Sequence, residues 1–386
     1  MLQFQKNIID SLNKFHVRNK ALVSKERVLS VDALRGFDMF WIIGGHYIFV
    51  GLDNVFHNKF TSFLKVQLDH SAWVGFTFYD IIMPLFLFLV GVSMVFSLRK
   101  RLGVEKNDKN LWKHTIKRVV ILWILGMIVQ GQLLTYDINQ LQLYSNTLQA
   151  IASGYLIATV IVLYQRVSYQ VVTTIGLMLA YWAIVALIPI GGTTQGAYTA
   201  DGNVPLHFDH VVLGRFHDGL EYTWIISSLN FAATTMLGVF SGYIMQSQLE
   251  KKKKFWYFIL LGISLICIGL IWSSWHPVIK KIWTGSFVLF SGGICILMLA
   301  AFYLLIDIWR MTKITKWMII IGSNAIFAYV AWHLFERSFT AVSAVFIDGL
   351  KPYIAGWYDT ILYLGSFMVL FLLLRYLYRN KIFIKI

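Results

Sequence analysis

The run LDHSAWVGFTFYDIIMPLFLFLVGVSM, residues 68–94, opens with Asp69, His70 and Trp73 and turns almost wholly apolar after Asp80. About 20 mostly apolar residues are enough for a helix to cross the hydrocarbon core of a bilayer. Residues 77–98 meet that length. Pro84 reads as an interior break of the kind membrane helices tolerate when neighbours satisfy the freed carbonyl. Asp80 falls in the first helical turn, where the helix dipole favours a carboxylate. His70 belongs to the loop just outside, and Trp73 suits an interfacial anchor. By itself, His70 reads as an ordinary loop histidine rather than as a reactive group at the mouth of a span.

The rest of the chain agrees with that reading. Of its 386 residues 58% are hydrophobic and only 14% charged, against about 45–50% and about 25% in soluble domains. Ten candidate spans follow, near 28–52, 77–98, 116–136, 146–164, 170–190, 222–246, 255–275, 282–306, 316–337 and 358–379. Residues 1–27 are basic but lack the apolar stretch of a cleavable signal. Cys267 and Cys295 both lie in apolar runs and read as core residues rather than a disulfide.

A net charge of +15 invites a nucleic-acid reading, but its distribution argues for topology. Of 34 Lys and Arg residues, 26 fall on the side of the N-terminal tail and 6 on the other, with Arg35 and Arg337 inside spans. The positive-inside rule then puts both termini in the cytoplasm. No nucleic-acid partner is expected. Membrane lipid is, since the basic side also attracts anionic headgroups or a phosphorylated cofactor. The expected fold is an all-α polytopic membrane protein, with about ten transmembrane helices in one bundle. It comprises a basic cytoplasmic tail (1–27), a membrane domain (28–379) and a short basic tail (380–386). With no soluble domain visible, chemistry must lie in the bundle and at its outer mouth.

Ionisable groups within a span cost roughly 2.5–3.5 kcal/mol each near the bilayer centre and invite explanation. The first span carries Asp32, Arg35, Asp38 and His46. At about 100° per residue, Asp32, Arg35 and His46 share one stripe of a straight helix. Asp32 and Arg35 are spaced as an i,i+3 ion pair. The stripe is either a paired helix entrance with a core histidine, or a polar track leading inward from the cytoplasm.

RVLSVDALRGFDMF (27–40) followed by HSAWVGFTFYDIIMPLFLFLVGVSM (70–94) resembles the paired N-terminal signatures of the heparan-α-glucosaminide N-acetyltransferase family, within the transmembrane acyltransferase superfamily. NTLQAIASGYLIA (146–158), TTMLGVFSGYIM (234–245), HPVIKKIWTGSFVLFSGG (276–293) and IGSNAIFAYVAWHLF (321–335) resemble later blocks in order. The resemblance, to a bacterial-type member, implies a multi-pass enzyme of the bacterial inner membrane. It would take acetyl from cytoplasmic acetyl-CoA to the amino group of a terminal glucosamine on the opposite face. It also implies that His70, three residues before Trp73, is the catalytic histidine. His46 stands where animal members carry Asn, and Ala150 where an Arg often follows the Leu-Gln pair.

Amide formation from a thioester needs a base for the amine and donors for the tetrahedral oxyanion. His70 suits base or nucleophile, with Asp80 preferred over Asp69 to orient it and His46 as a further candidate. Arg35, paired with Asp32, is the candidate for a CoA phosphate. Gln149 and Asn324 could hold the thioester carbonyl or the pantetheine amides, or simply bond between helices. On the outer side Trp73, Asp209, His210 and Lys281 are candidates for an amino-sugar glycan. The stretch PLHFDHVVLGRFHDGLEY (205–222) has no metal-ligand spacing, so no metal is expected. A homodimer is compatible with the sequence. Envelope-glycan O-acetylation is the alternative within the same chemistry. A secondary transporter is the alternative outside it, but it would show two matching halves of broken helices.

Overall fold

A computed structural model of the chain describes residues 28–104, 108–189 and 198–384; the expected basic tail 1–27 lies outside them. Every regular element among the described residues is helical. In chain order the main helices are α1 (Leu29–Phe40), α2 (His46–Phe56), α3 (Lys59–Gln67), α4 (Ile82–Val104), α5 (Asp108–Val129), α6 (Thr147–Tyr164) and α7 (Val167–Leu187). They continue with α8 (Val204–Leu213), α9 (Ser228–Gln246), α10 (Lys251–Trp272), α11 (Gly285–Tyr303), α12 (Lys316–Gly322), α13 (Ala325–Ile347) and α14 (Tyr358–Arg379).

All ten expected spans fall on helices, but fewer have the length and composition of a membrane crossing. Seven qualify, or eight if the bent pair of α12 with the helical stretch from Ala325 to Ile354, broken by 76°, forms one span. The shortfall has a chemical cause. α5 opens with Lys109, Lys113, Lys117 and Arg118. α9 is diluted by Asn230, Thr234, Thr235 and Ser241, all buried against protein. The apolar helices differ in what covers them. The span from Phe78 to Leu98 is 83% buried, whereas α10 is 17% buried and turns Leu260, Ile263, Ile268 and Ile271 outward. An outward apolar face of that length suits lipid. Cys267 is on that exposed helix and Cys295 is buried; both are free thiols, so only Cys295 fits the core reading.

The chain separates into two compact units, one of residues 84–297 and one of 28–83 with 298–384. In the first, α4 and α9 meet backbone to backbone. A methyl group added at Gly91 would overlap the Thr235 carbonyl, and one at Gly238 the Phe88 carbonyl. Such small-residue contacts let helices approach where dispersion and polar bonds, rather than water exclusion, hold them together. Farther out, Tyr181, Val185, Val204 and Ile226 form a buried cluster. In the second unit α1 lies on α12 by the same device, Gly36 under the Met318 carbonyl and Gly322 under that of Asp32. Ala33, Ile306 and Ile319 make its small core. α13 and α14 are joined by the Ser343 hydroxyl donating to the Leu362 carbonyl at 2.9 Å.

Two sequence expectations change here. Pro84 is not deep in a regular α-helix: it is the third residue of α4, which follows directly on a 3₁₀ turn, Phe78–Ile81, so it stands near the 3₁₀-to-α junction. The first span is not straight: it breaks at Trp41–Gly45, with Ile43 at ψ 37° and Gly44 at φ 99°. A side chain at Gly44 would be strained by that φ and would also strike the Trp332 indole. Counting 100° steps across this break is invalid, so the single stripe from Asp32 to His46 does not hold.

Gly238→Val should lose at least about 2 kcal/mol, because the α4–α9 backbone contact has no room to relax. Thermal unfolding in detergent should show the loss, with Gly176→Ala, whose added methyl meets nothing, as the neutral comparison.

Candidate active site

The rim around His70 is built from short, well-tied pieces. α2 ends at His57 in the left-handed region, and Asn58 caps α3 by accepting the N–H groups of Phe60 and Thr61. Asp53 on α2 accepts from Thr61 Oγ1 at 2.9 Å and Ser62 Oγ at 3.0 Å, locking α2 to α3. α3 lies between the first two expected spans, where the sequence reading placed no helix. It fixes the near end of the loop, and Gln67 Oε1 accepts the Phe78 N–H at 3.1 Å to fix the far end.

Between these anchors the loop closes on Asp80. This carboxylate is wholly buried at the third residue of a 3₁₀ turn, Phe78–Ile81. Its Oδ1 is 3.0 Å from His70 Nδ1, while Oδ2 accepts the N–H groups of Ser71 at 3.2 Å and Thr77 at 3.1 Å. The Thr77 hydroxyl lies 3.2 Å from Oδ2 and 2.5 Å from the Asp69 carbonyl. Donors converge on both oxygens, which is what a buried carboxylate requires. Asp69 instead accepts the backbone N–H of His70 at 2.7 Å. Asp80 is therefore the carboxylate that orients the ring. The ring itself is 39% exposed, and Nδ1 is the nitrogen that faces the acid. Trp73 is half-buried in the same loop.

A second histidine approaches from the helix break. His46 Nδ1 is 3.0 Å from the Trp41 carbonyl and 3.3 Å from the Tyr79 hydroxyl. Tyr79 stands between the two histidines, its ring centroid 4.9 Å from each. Sequence reasoning missed Tyr79, for which no motif speaks. It also missed the Thr77-x-x-Asp80 capping pair, a helix-start signature that was legible. On α1, Arg35 Nη1 bonds Asp32 Oδ1 at 3.1 Å, as the i,i+3 spacing implied. One turn on, Asp38 and the Trp41 indole N–H are buried with no hydrogen-bond partner among the described residues.

Other candidates are engaged by local structure. Gln149 caps α6: its Oε1 accepts the N–H groups of Ser145 and Asn146, and its Nε2 donates to the Leu143 carbonyl at 2.7 Å. Asn324 bridges the α12–α13 break to the end of the chain, donating to the Ile382 carbonyl at 3.1 Å and accepting from the Ile384 N–H at 2.8 Å. Neither makes the interhelical bond that composition suggested.

In the 84–297 unit, Asp209 accepts the N–H groups of Trp224 at 2.6 Å and Ile225 at 3.0 Å. Burial pushes its carboxyl up to about 7 against the pull of those two donors. His210 stacks on His217 with centroids 4.0 Å apart, and Lys281 is paired with Glu221. His276, wholly buried, accepts the Gly285 N–H at Nε2 (2.9 Å) and has the Tyr198 hydroxyl 2.7 Å from Nδ1. Burial pushes it down to about 4.

Two outcomes follow. Asp80→Ala would leave three donors of the rim without their acceptor, a cost of about 2–4 kcal/mol; hydrogen exchange at residues 69–78 should accelerate while that of α9 does not. His276 must stay neutral to accept from Gly285. Its unfolded value, about 6.5, lies above its folded one, so the unfolded chain takes up the proton first as pH falls. Stability should drop between about pH 6.5 and 4, by about 2 kcal/mol at pH 5, and His276→Gln should flatten that slope in thermal melts.

The histidine rim lies within the part of the chain that known families account for. A family model described as heparan-alpha-glucosaminide N-acetyltransferase, catalytic, matches residues 27–257. No curated protein matches the chain. The match covers well over half the residues, begins beside Val28 and includes the whole of the His70–Asp80 rim. This membrane-embedded chain therefore belongs to the heparan-alpha-glucosaminide N-acetyltransferase family of transmembrane acyltransferases.

Proposed function

We propose that the protein moves an acetyl group from cytoplasmic acetyl-CoA to the amino group of a glucosamine-containing glycan on the outer face of a bacterial inner membrane. The observation that carries this reading is the 3.0 Å bond between half-exposed His70 and buried Asp80. The carboxylate fixes Nδ1 as the protonated nitrogen and leaves Nε2 to act. Nε2 takes the proton of the attacking amine. Alternatively it attacks the thioester carbonyl, expels the thiolate, and is itself displaced by the amine from an acetylated ring. Both routes break one C–S bond and leave one new amide C–N bond, and the amine proton ends on the thiol sulfur.

Supporting roles follow from position. Arg35, steadied by Asp32, offers a fixed cation for a CoA phosphate on the cytoplasmic side of the first span. His46 closes the inner side of the rim, and Trp73 supplies a ring face for the sugar. Gln149, Asn324 and Asp209 are held by their own caps and loops, so the reading does not lean on them. The 26-to-6 distribution of basic residues supports ten crossings with both termini in the cytoplasm.

Purified protein given radiolabelled acetyl-CoA and glucosamine should release N-acetylglucosamine. His70→Ala should lower the rate by about 10²–10⁴-fold, and a His70→Ala rate equal to wild type would refute the role. Label retained on the protein without acceptor identifies the acetyl-histidine route, and its absence identifies direct transfer. Label on a sugar hydroxyl instead of the amine would make the enzyme an O-acetyltransferase.

A further inference from the structure

Tyr79 has a hydrogen-bonding arrangement with one consistent solution. The Trp41 carbonyl can only accept, and it lies 3.0 Å from His46 Nδ1. Nδ1 therefore carries a hydrogen, because two lone pairs would otherwise face each other at that distance. A nitrogen that carries its hydrogen cannot accept the phenol proton. The Tyr79 oxygen, 3.3 Å from the same nitrogen, is thus the acceptor of a second, longer arm. Its own O–H proton has no acceptor among the described residues. The phenol is half-buried, where an unused donor is costly unless something else completes it.

Position supplies that something. Tyr79 is adjacent to Asp80 on the same 3₁₀ turn, and its ring is 4.9 Å from that of His70. The phenol ring thus lies next to the imidazole through which the acetyl group would be transferred. We propose that the Tyr79 O–H is the hydrogen-bond donor to the oxyanion that forms on the acetyl carbonyl during transfer. The inference rests on the acetyl-transfer reading above. One turn then holds both the carboxylate that orients the imidazole and the donor that stabilises the intermediate, fixed relative to each other before substrate arrives. No covalent bond to Tyr79 forms, and its proton stays on oxygen throughout.

The test compares Tyr79→Phe, His70→Ala and wild type in acetyl transfer to glucosamine, with thermal unfolding and acetyl-CoA binding measured on each. Phenylalanine keeps the ring between the histidines and removes only the donor. Tyr79→Phe should lower kcat by about 10²–10³-fold, with KM for both substrates and the melting temperature within error of wild type. 3-Fluorotyrosine at position 79, which retains the O–H, should restore the rate, and this holds the test open if phenylalanine unfolds the rim. Full activity in Tyr79→Phe with loss in His70→Ala would overturn the oxyanion role and leave the His70 reading standing. Full activity in both would overturn both. A Tyr79→Phe defect confined to KM would assign the residue to binding and overturn the proposal.

Discussion

The rim depends on one buried carboxylate. Removing a carboxylate from water costs several kcal/mol unless donors replace the lost hydration. Asp80 meets that condition with an imidazole and two backbone N–H groups, with the Thr77 hydroxyl alongside. Those donors come from residues 70, 71 and 77, so satisfying the acid and folding the loop are one event. The same bonds hold the Nδ1 edge of His70 against the acid. The rim's fold and the placement of the imidazole thus rest on the same hydrogen bonds.

The break in the first span plays the complementary part. A regular helix from Leu29 to Phe56 would engage the Trp41 carbonyl within its own ladder and carry the His46 ring elsewhere. The turn at Trp41–Gly45, permitted by Gly44 at φ 99° with the Trp332 indole packed where a side chain would stand, lets His46 fold back onto that carbonyl. Membrane helices sustain such irregularities where protein covers them, and Ile43, Gly44 and Gly45 are all buried. Two histidines of the same tautomer then flank one tyrosine, each held by an acceptor that cannot donate.

Composition and charge made the membrane class legible, because a chain this apolar has few soluble alternatives. That the ten expected apolar stretches would be helical was legible for the same reason. Which of them cross was not, since α5 and α9 carry polar residues whose partners only the fold reveals. His70 became a candidate through family resemblance; its spacing alone was silent. The preference for Asp80 over Asp69 rested on chain direction, and the geometry agrees. Gln149 and Asn324 looked like donors awaiting a ligand because a sequence does not display backbone N–H groups at helix ends. His46 was placed on a stripe by helical arithmetic that one glycine invalidates. Tyr79 carried no signal, as its meaning depends on which atom of another residue bears a proton.

The central claim is that Asp80 sets the chemistry of His70, and Asp80→Asn addresses it most directly. The amide keeps the shape of the carboxylate while withdrawing its charge and offering a donor where the imidazole needs an acceptor. Steady-state acetyl transfer to glucosamine should then fall by about 10²–10⁴-fold in kcat, the range for misdirected acid–base groups, with acetyl-CoA affinity unchanged. An Asp80→Asn enzyme that turns over at the wild-type rate would contradict the account.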